Sequence, residues 1–444
     1  MEQQPLKLDT RRTFLIGFAF FGILALWQIY YFYCPLFLRR LISEDVSGRN
    51  TIIGIIMAID KILAIGLIPL FGWLSDRTRS RFGRRMPYIV IGTVVGVVLF
   101  PLIAVMFMVN SLVGLIIAMV FLIIAMQCYR APAVALMPDV TPKPKRAAAN
   151  AIINFMGYIG VIIGSIVTMV FLLSAPDESG MLPYVVMGQE YAFIPFVFVS
   201  MLMLVSLVFL IIKFNETRVV AQVAADMELG EKLSETIEPV TEGQKLGKTD
   251  RRNFLVIFGC IVLWFFAFNA LSTFASSYAE EILGGAQIGL AIAIMGVAGL
   301  ITFLPAIKLT NKIGRKNSIL VGIVMMIVPL IVASFVTSLM PLIPLFAIAG
   351  SGWAVININS YPMLVEMSSS KNVGKITGYY YIAQQGSQAI TSICIGAVLD
   401  LLGYKMLFPY AAVFMILAFV LCLFFKTKSD INRSSDTVQN AATN

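Results

Sequence analysis

The chain has 444 residues, of which 59% are hydrophobic and only 13% charged, and its formal net charge is +9. Soluble chains carry about 25% charged residues, so no aqueous core accounts for this apolar surplus, whereas a lipid bilayer does. The apolar residues come in blocks of about twenty, the length a helix needs to cross about 30 Å of hydrocarbon. An all-α membrane protein follows, since a β-barrel would need alternating segments of about ten residues.

In chain order, spans are predicted over 13–38, 51–73, 88–109, 111–136, 148–173 and 191–213, then over 253–277, 287–307, 318–339, 341–363, 377–401 and 403–425. The first run is too long for a secretory leader, and no small-residue cleavage site follows it. Residues 214–252 are the one long interior hydrophilic stretch, neither apolar nor periodic, and 427–444 are rich in Ser, Thr, Asn and Asp. The expected organisation is a six-helix half over 1–213, a cytoplasmic linker over 214–252, a second six-helix half over 253–426 and a disordered tail over 427–444.

The basic residues set the orientation. Of the 33 Lys and Arg, all but Arg39, Arg40, Arg49, Lys61, Arg130 and Lys405 fall in the terminal segments and alternate loops on one side. The positive-inside rule then puts both termini in the cytoplasm, in an inner or plasma membrane. The positive charge thus reports topology, and no nucleic-acid partner is expected. Histidine is absent, and Cys34, Cys128, Cys260, Cys394 and Cys422 have no metal-ligand spacing, so neither a metal nor a cofactor is expected. No nucleophile–base pair suggests an enzyme, and the chain reads as a monomer.

The halves echo one another. Gly83-Arg84-Arg85 after the second span returns as Gly314-Arg315-Lys316 after the eighth, and Asp139 ending the fourth span returns as Glu366 ending the tenth at nearly the same offset. Such internal symmetry marks secondary transporters, whose substrate site lies near the midplane between the halves.

The most specific segment runs from Gly72 to Pro87, Gly-Trp-Leu-Ser-Asp-Arg-Thr-Arg-Ser-Arg-Phe-Gly-Arg-Arg-Met-Pro. Gly72 permits close helix approach. Asp76 can accept charge-assisted hydrogen bonds, Gly83 permits the turn, and Arg84 and Arg85 hold the loop at the anionic leaflet. This segment resembles the signature between the second and third helices of the major facilitator superfamily. Its spelling is similar to that of sucrose transporters and of the neighbouring glycoside–pentoside–hexuronide:cation symporters. Tyr129 to Asp139 looks like their fourth-helix end, and Asn357 to Glu366 like their tenth. The resemblance implies two pseudo-symmetric six-helix halves, alternating access and a sugar substrate. The hairpin, with Gly72, Asp76, Arg77, Gly83, Arg84 and Arg85, is expected to be a gate element, and Asp139 and Glu366, at helix ends facing the cytoplasm, are expected to close it by salt bridges with the basic loops. The sodium-coupled relatives carry an acidic pair in helix 2, where this chain has Ala64 to Pro69 without a carboxylate. A proton is therefore the expected coupling ion rather than sodium.

Ionisable groups within spans are costly and point to function. Asp60 is the expected proton carrier, roughly 13 Å from the outer end of its span at 1.5 Å per residue. Lys61 follows it but points about 100° away, so the two are not expected to share a face. Arg130 is expected to donate to a substrate or a carboxylate. The alternative is a structural network among these three. Uncharged polar residues form stripes, with Trp27, Gln28 and Tyr31 on the first span, Gln127 on the fourth, and Asn150, Asn154 and Tyr158 on the fifth. Others are Asn269, Thr273 and Ser276 on the seventh, Asn357 and Tyr361 on the tenth, and Gln384 and Gln388 on the eleventh. Amides bond hydroxyls in both directions and rings stack on sugar C–H faces. The expectation is an importer of a small neutral sugar or glycoside, a disaccharide such as sucrose in particular, by proton symport. A drug or metabolite exporter and a transport-inactive sugar sensor are the rivals.

Overall fold

A computed structural model describes residues 8–173, 185–186, 188–237, 248–285, 287–365 and 373–425. The first half comprises α1 (Thr10–Leu41), α2 (Arg49–Arg77), α3 (Met86–Met108), α4 (Leu112–Asp139), α5 (Arg146–Val170) and α6 (Ile194–Lys213). After α7 (Glu216–Ile237), the second half comprises α8 (Lys248–Ile282), α9 (Ile288–Ala333), α10 (Leu339–Val365), α11 (Val373–Leu402) and α12 (Leu407–Leu423). A two-residue parallel pairing, Phe171–Leu172 with Val185–Val186, follows α5.

Among the described residues, 11 helices are long and apolar enough to cross a membrane, and α9, at 46 residues, is twice the usual length. Its backbone breaks at Gly314, with φ 80° and ψ 163°, so α9 is two spans joined at a corner and the bundle has the twelve expected from the sequence. Gly83 occupies the same place in the first half with φ 103°. Both conformations lie where a side chain is disfavoured, so the sequence echo reflects one backbone turn used twice.

Asp9 caps α1 by accepting from Arg12 N at 2.9 Å, and Ser111 caps α4 by accepting from Gly114 N at 3.1 Å. Prolines inside α1, α2, α3, α4, α9 and α10 are tolerated because neighbouring helices re-satisfy the backbone. The linker departs from expectation. Read as aperiodic, it contains the 22-residue helix α7, whose Glu216, Val223 and Gly230 are buried against the first half while the opposite face is exposed. Its short apolar stripe sits among charges, which hides the period. The tail over 427–444 lies outside the described residues.

The halves meet mainly through α2 against α11, α5 against α9 and α1 against α8. Gly54 and Gly396 let α2 and α11 touch backbone to backbone, since a Cβ on Gly54 would strike the Ser392 carbonyl and one on Gly396 the Asn50 carbonyl. One end of the bundle carries the basic turn at 78–85; the other carries the loop at 42–48. Among the described residues, the hydrogen bonds and ion pairs joining the halves lie at the latter end. Asp400 accepts from Asn50 N and Thr51 N at 2.8 Å each, and Tyr404 Oη donates to Asn50 Oδ1 at 2.5 Å. Arg40 pairs with Glu280 at 2.7 Å, and Arg39 pairs with Glu281 and donates to the Ser277 carbonyl. Among the described residues, the halves are clamped at the 42–48 end.

Candidate functional site

Midway along the bundle, between the halves, lies a cavity of about 330 Å³. From the expected set, Trp27, Gln28 and Tyr31 on α1, Arg130 on α4, Tyr158 on α5, Asn269 on α8, and Gln384 and Gln388 on α11 line it. Thr273 lies behind this wall, 3.4 Å from Ser392 Oγ, where Asn269 Nδ2 also donates to the Gln388 carbonyl at 2.8 Å. Half of the Asn269 amide is thus committed to holding α8 against α11.

Besides Thr273 and Asn150, four expected residues are not brought to the cavity. Gln127 is fully buried inside the first half, with Oε1 unpaired. Asn154 Nδ2 donates to the Asn150 carbonyl at 2.8 Å and Asn357 Nδ2 to the Trp353 carbonyl at 2.9 Å, each one turn back on its own helix. Tyr361 packs edge-on against Tyr380 with ring centroids 5.3 Å apart. The cavity instead takes Phe268 and Trp353, stacked at 4.0 Å and 2°, together with Ser272 and Gln385. Sequence reasoning passed over this aromatic plate because both rings count as apolar filler. The position of Trp353, one turn before Asn357, was the available signal.

Beside the cavity, Asp60 is 2% exposed and holds two donors. Tyr31 Oη donates to its Oδ2 at 2.5 Å, and Lys61 Nζ lies 2.7 Å from the same oxygen while also donating to Tyr31 Oη. This corrects the expectation that Asp60 and Lys61 stay apart. Their Cα–Cβ vectors diverge, but the four-carbon lysine stem is long enough to fold back. The ammonium sits over the Tyr31 ring, 4.3 Å from its centroid, and Trp27 stacks on Tyr31 at 5.4 Å. Lys61 and Tyr31 therefore form the cavity wall, and Asp60 is sheathed behind them.

At the basic end, charged groups form a continuous chain within the first half. Arg85 pairs with Asp76 at 2.5 Å and with Asp139 at 2.8 Å, and Arg84 reaches Asp139 at 2.8 Å. Arg85 also donates to Ser75 Oγ at 2.5 Å and to the Gly72 carbonyl at 3.4 Å. Burial works against its charge, but the hydrogen bond it donates to Asp139 and the two carboxylates prevail and hold its pKa above the ordinary arginine value. Among the described residues Arg77 takes no carboxylate, and it lies over the Trp73 ring at 4.1 Å. Glu366 lies outside the described residues.

Glu216, missed in the sequence, anchors this turn. Its buried carboxylate accepts from the backbone N–H groups of Arg84 at 2.9 Å, Arg85 at 2.9 Å and Met86 at 2.8 Å. An anion at the α3 N-terminus satisfies orphan donors and complements the helix dipole. A Cβ on Gly83 would collide with this carboxylate, so the glycine is needed for contact as well as for φ.

Paired six-helix halves around a central cavity define a polytopic membrane transporter. The chain matches the family model described as Major Facilitator Superfamily over residues 13–286 and 257–442, and it belongs to that superfamily. It is a transporter of the secondary kind. Solved structures agree on the fold. The nucleoside transporter NupG is 14% identical with a TM-score of 0.65, covering 93% of this chain and 100% of its own. A peptide transporter, POT, in complex with alafosfalin is 13% identical with a TM-score of 0.66, covering 94% and 97%. A bacterial homologue of the iron transporter ferroportin in the inward-facing state is 15% identical with a TM-score of 0.62, covering 94% and 99%. Likeness at these identities carries the architecture and leaves the cargo to be argued from the cavity.

Proposed function

We propose that this protein imports a small sugar or glycoside together with a proton by alternating access. The observation that carries the reading is the cavity's composition. The amides of Gln28, Asn269, Gln384, Gln385 and Gln388 and the hydroxyls of Ser272 and Ser276 converge on a space walled by the Trp27–Tyr31 and Phe268–Trp353 stacks. Its volume is at the lower end of the range for small-ligand sites, about 300–1,000 Å³. The likeness of the 72–87 motif to sucrose transporters supports the same substrate class.

With the termini in the cytoplasm, the clamped 42–48 end faces outward and this conformation opens inward. Asp60 is the proton carrier in this scheme. A proton on its carboxylate cancels the negative charge that Lys61 and Tyr31 share, loosening α2 from α1 at the cavity wall. The Asp76–Arg85–Asp139 chain braces the inner end of the first half as it rocks. The test is substrate-dependent alkalinisation of the medium by de-energised cells expressing the protein, across monosaccharides and disaccharides. A sugar-evoked pH rise absent from control cells is expected. Sugar uptake without proton movement would remove the coupling, and no response with any sugar would remove the substrate class.

A further inference from the structure

The α11 wall of the cavity is made by Gln384, Gln385 and Gln388. Tyr381 precedes them by three, four and seven residues, so it continues the same helix face one turn nearer the Val373 end. In this conformation Tyr381 does not line the cavity, and it is 48% exposed. It sits at the edge of an aromatic cluster in the second half, its ring 5.8 Å from that of Tyr380, which meets Tyr361 at 5.3 Å.

Arg130, in the first half, does line the cavity. At 1.5 Å per residue it lies about 13 Å from the Asp139 end of α4, and Tyr381 about 12 Å from the Val373 end of α11. Both ends belong to the basic end of the bundle, so the two residues stand at one depth on opposite halves. The charge of Arg130 reaches the Tyr381 phenol.

Among the described residues Arg130 makes no ion pair, hydrogen bond or ring contact. The carboxylates on either side are committed, Asp60 to Lys61 and Tyr31, and Asp139 to Arg84 and Arg85. A proton on Asp60 does not help, because a neutral carboxyl offers no counter-charge. Lys61 at least lies over the Tyr31 ring at 4.3 Å and the Trp27 ring at 5.6 Å. Water solvates Arg130 while the cavity is open. Sealing the cavity expels that water, and an unpaired cation is then among the costliest groups to bury. A tyrosine face attracts a cation without carrying a charge, and a planar guanidinium stacks on it.

We propose that Arg130 and Tyr381 are the inner gate of the cavity: as the basic ends approach, the guanidinium of one half docks on the ring of the other. This rests on the alternating-access reading above. Closure itself then satisfies the cation, and the sugar need not bring a counter-charge.

The experiment grades the ring and reads closure. Spin labels at Arg79 and Lys312, exposed at the basic ends of the two halves, report the inner separation of the full chain in lipid nanodiscs by pulsed electron resonance. Cys394, an exposed native thiol, is replaced by serine. Asp400→Ala weakens the outer clamp and so populates the inner-closed state, and Gly396→Ala, whose Cβ would strike the Asn50 carbonyl, is the second background. Tyr381→Leu and Arg130→Gln should each lower the closed-to-open ratio about fivefold or more, the scale of a cation–π contact leaving water. Tyr381→Phe should keep most of the ratio. Phenylalanines with one, two and three ring fluorines at position 381 should lower it stepwise, since fluorine drains the ring face, and should change nothing once Arg130→Gln is present. A flat fluorine series, equal steps with Arg130→Gln, a ratio unmoved by Arg130→Gln, or a loss in Tyr381→Phe as deep as in Tyr381→Leu would each overturn the gate while leaving alternating access intact. Absence of any short inner distance in both backgrounds would overturn alternating access, and the gate with it.

Discussion

Asp400, ending the α11 span, accepts the backbone N–H of Thr51 at 2.8 Å and its hydroxyl at 2.5 Å, so an acid of one half caps the first turn of a helix in the other. The contact exists only while the halves are closed at this end. Asp400→Ala should remove about 0.5–2 kcal/mol of capping from that state alone. Spin labels at Asp45 and Leu402, both exposed, should report a larger population of long distances by pulsed electron resonance. An unchanged distribution would show that the Gly54–Gly396 contact closes this end without help.

Asp60→Asn keeps the side chain's shape but removes its charge. Accumulation of substrate against a gradient should be lost, while exchange between internal and external substrate continues. Counterflow and uphill uptake in proteoliposomes separate the two. A mutant that still accumulates substrate makes Asp60 structural, and one that loses exchange as well places it in binding or folding.

The carboxylate of Glu216 closes three backbone donors that have no other partner. Glu216→Ala should lower the melting temperature of the purified protein through about 1–3 kcal/mol for newly unpaired buried groups. Asp76→Asn should instead cut the transport rate while protein stays in the membrane, because it weakens one link of the charged chain at Arg85. Wild-type rates would release Asp76 from the gate.

Binding losses should follow the cavity wall rather than the sequence stripes. Gln384→Ala should weaken apparent affinity by about 1–3 kcal/mol, and Trp353→Ala should do so by removing one ring of the plate. Asn154→Ala and Asn357→Ala should leave affinity at the wild-type level, since neither residue lines the cavity and each turns an N–H back to its own helix. A binding assay on the four variants decides between wall and stripe.

The twelve spans were legible because bilayer thickness imposes a length on every apolar block, and the repeat because Gly83 and Gly314 must both adopt φ that other residues avoid. Polarity within a span also singled out α1, α8 and α11, whose Gln28, Asn269, Gln384 and Gln388 line the cavity. It could not tell an amide aimed across the bundle from one folded onto the preceding turn, which is what separates Gln384 from Asn357. Nor could helical angle alone place Lys61, whose long stem overrides the direction of its Cβ. Phe268 and Trp353 were invisible for a different reason: inside a membrane, an aromatic ring facing a ligand has the same composition as one facing lipid.

The contact between α2 and α11 at Gly54 and Gly396 is a seam with no side chain in it, and it works by fit alone. It can therefore be propped like a door. Gly54→Trp would wedge the two helices apart where the Ser392 carbonyl now rests, leaving the chain unable to shut that end and holding it in the opposite posture. The same two glycines that make closure possible thus offer a single-residue handle for trapping the other half of the cycle.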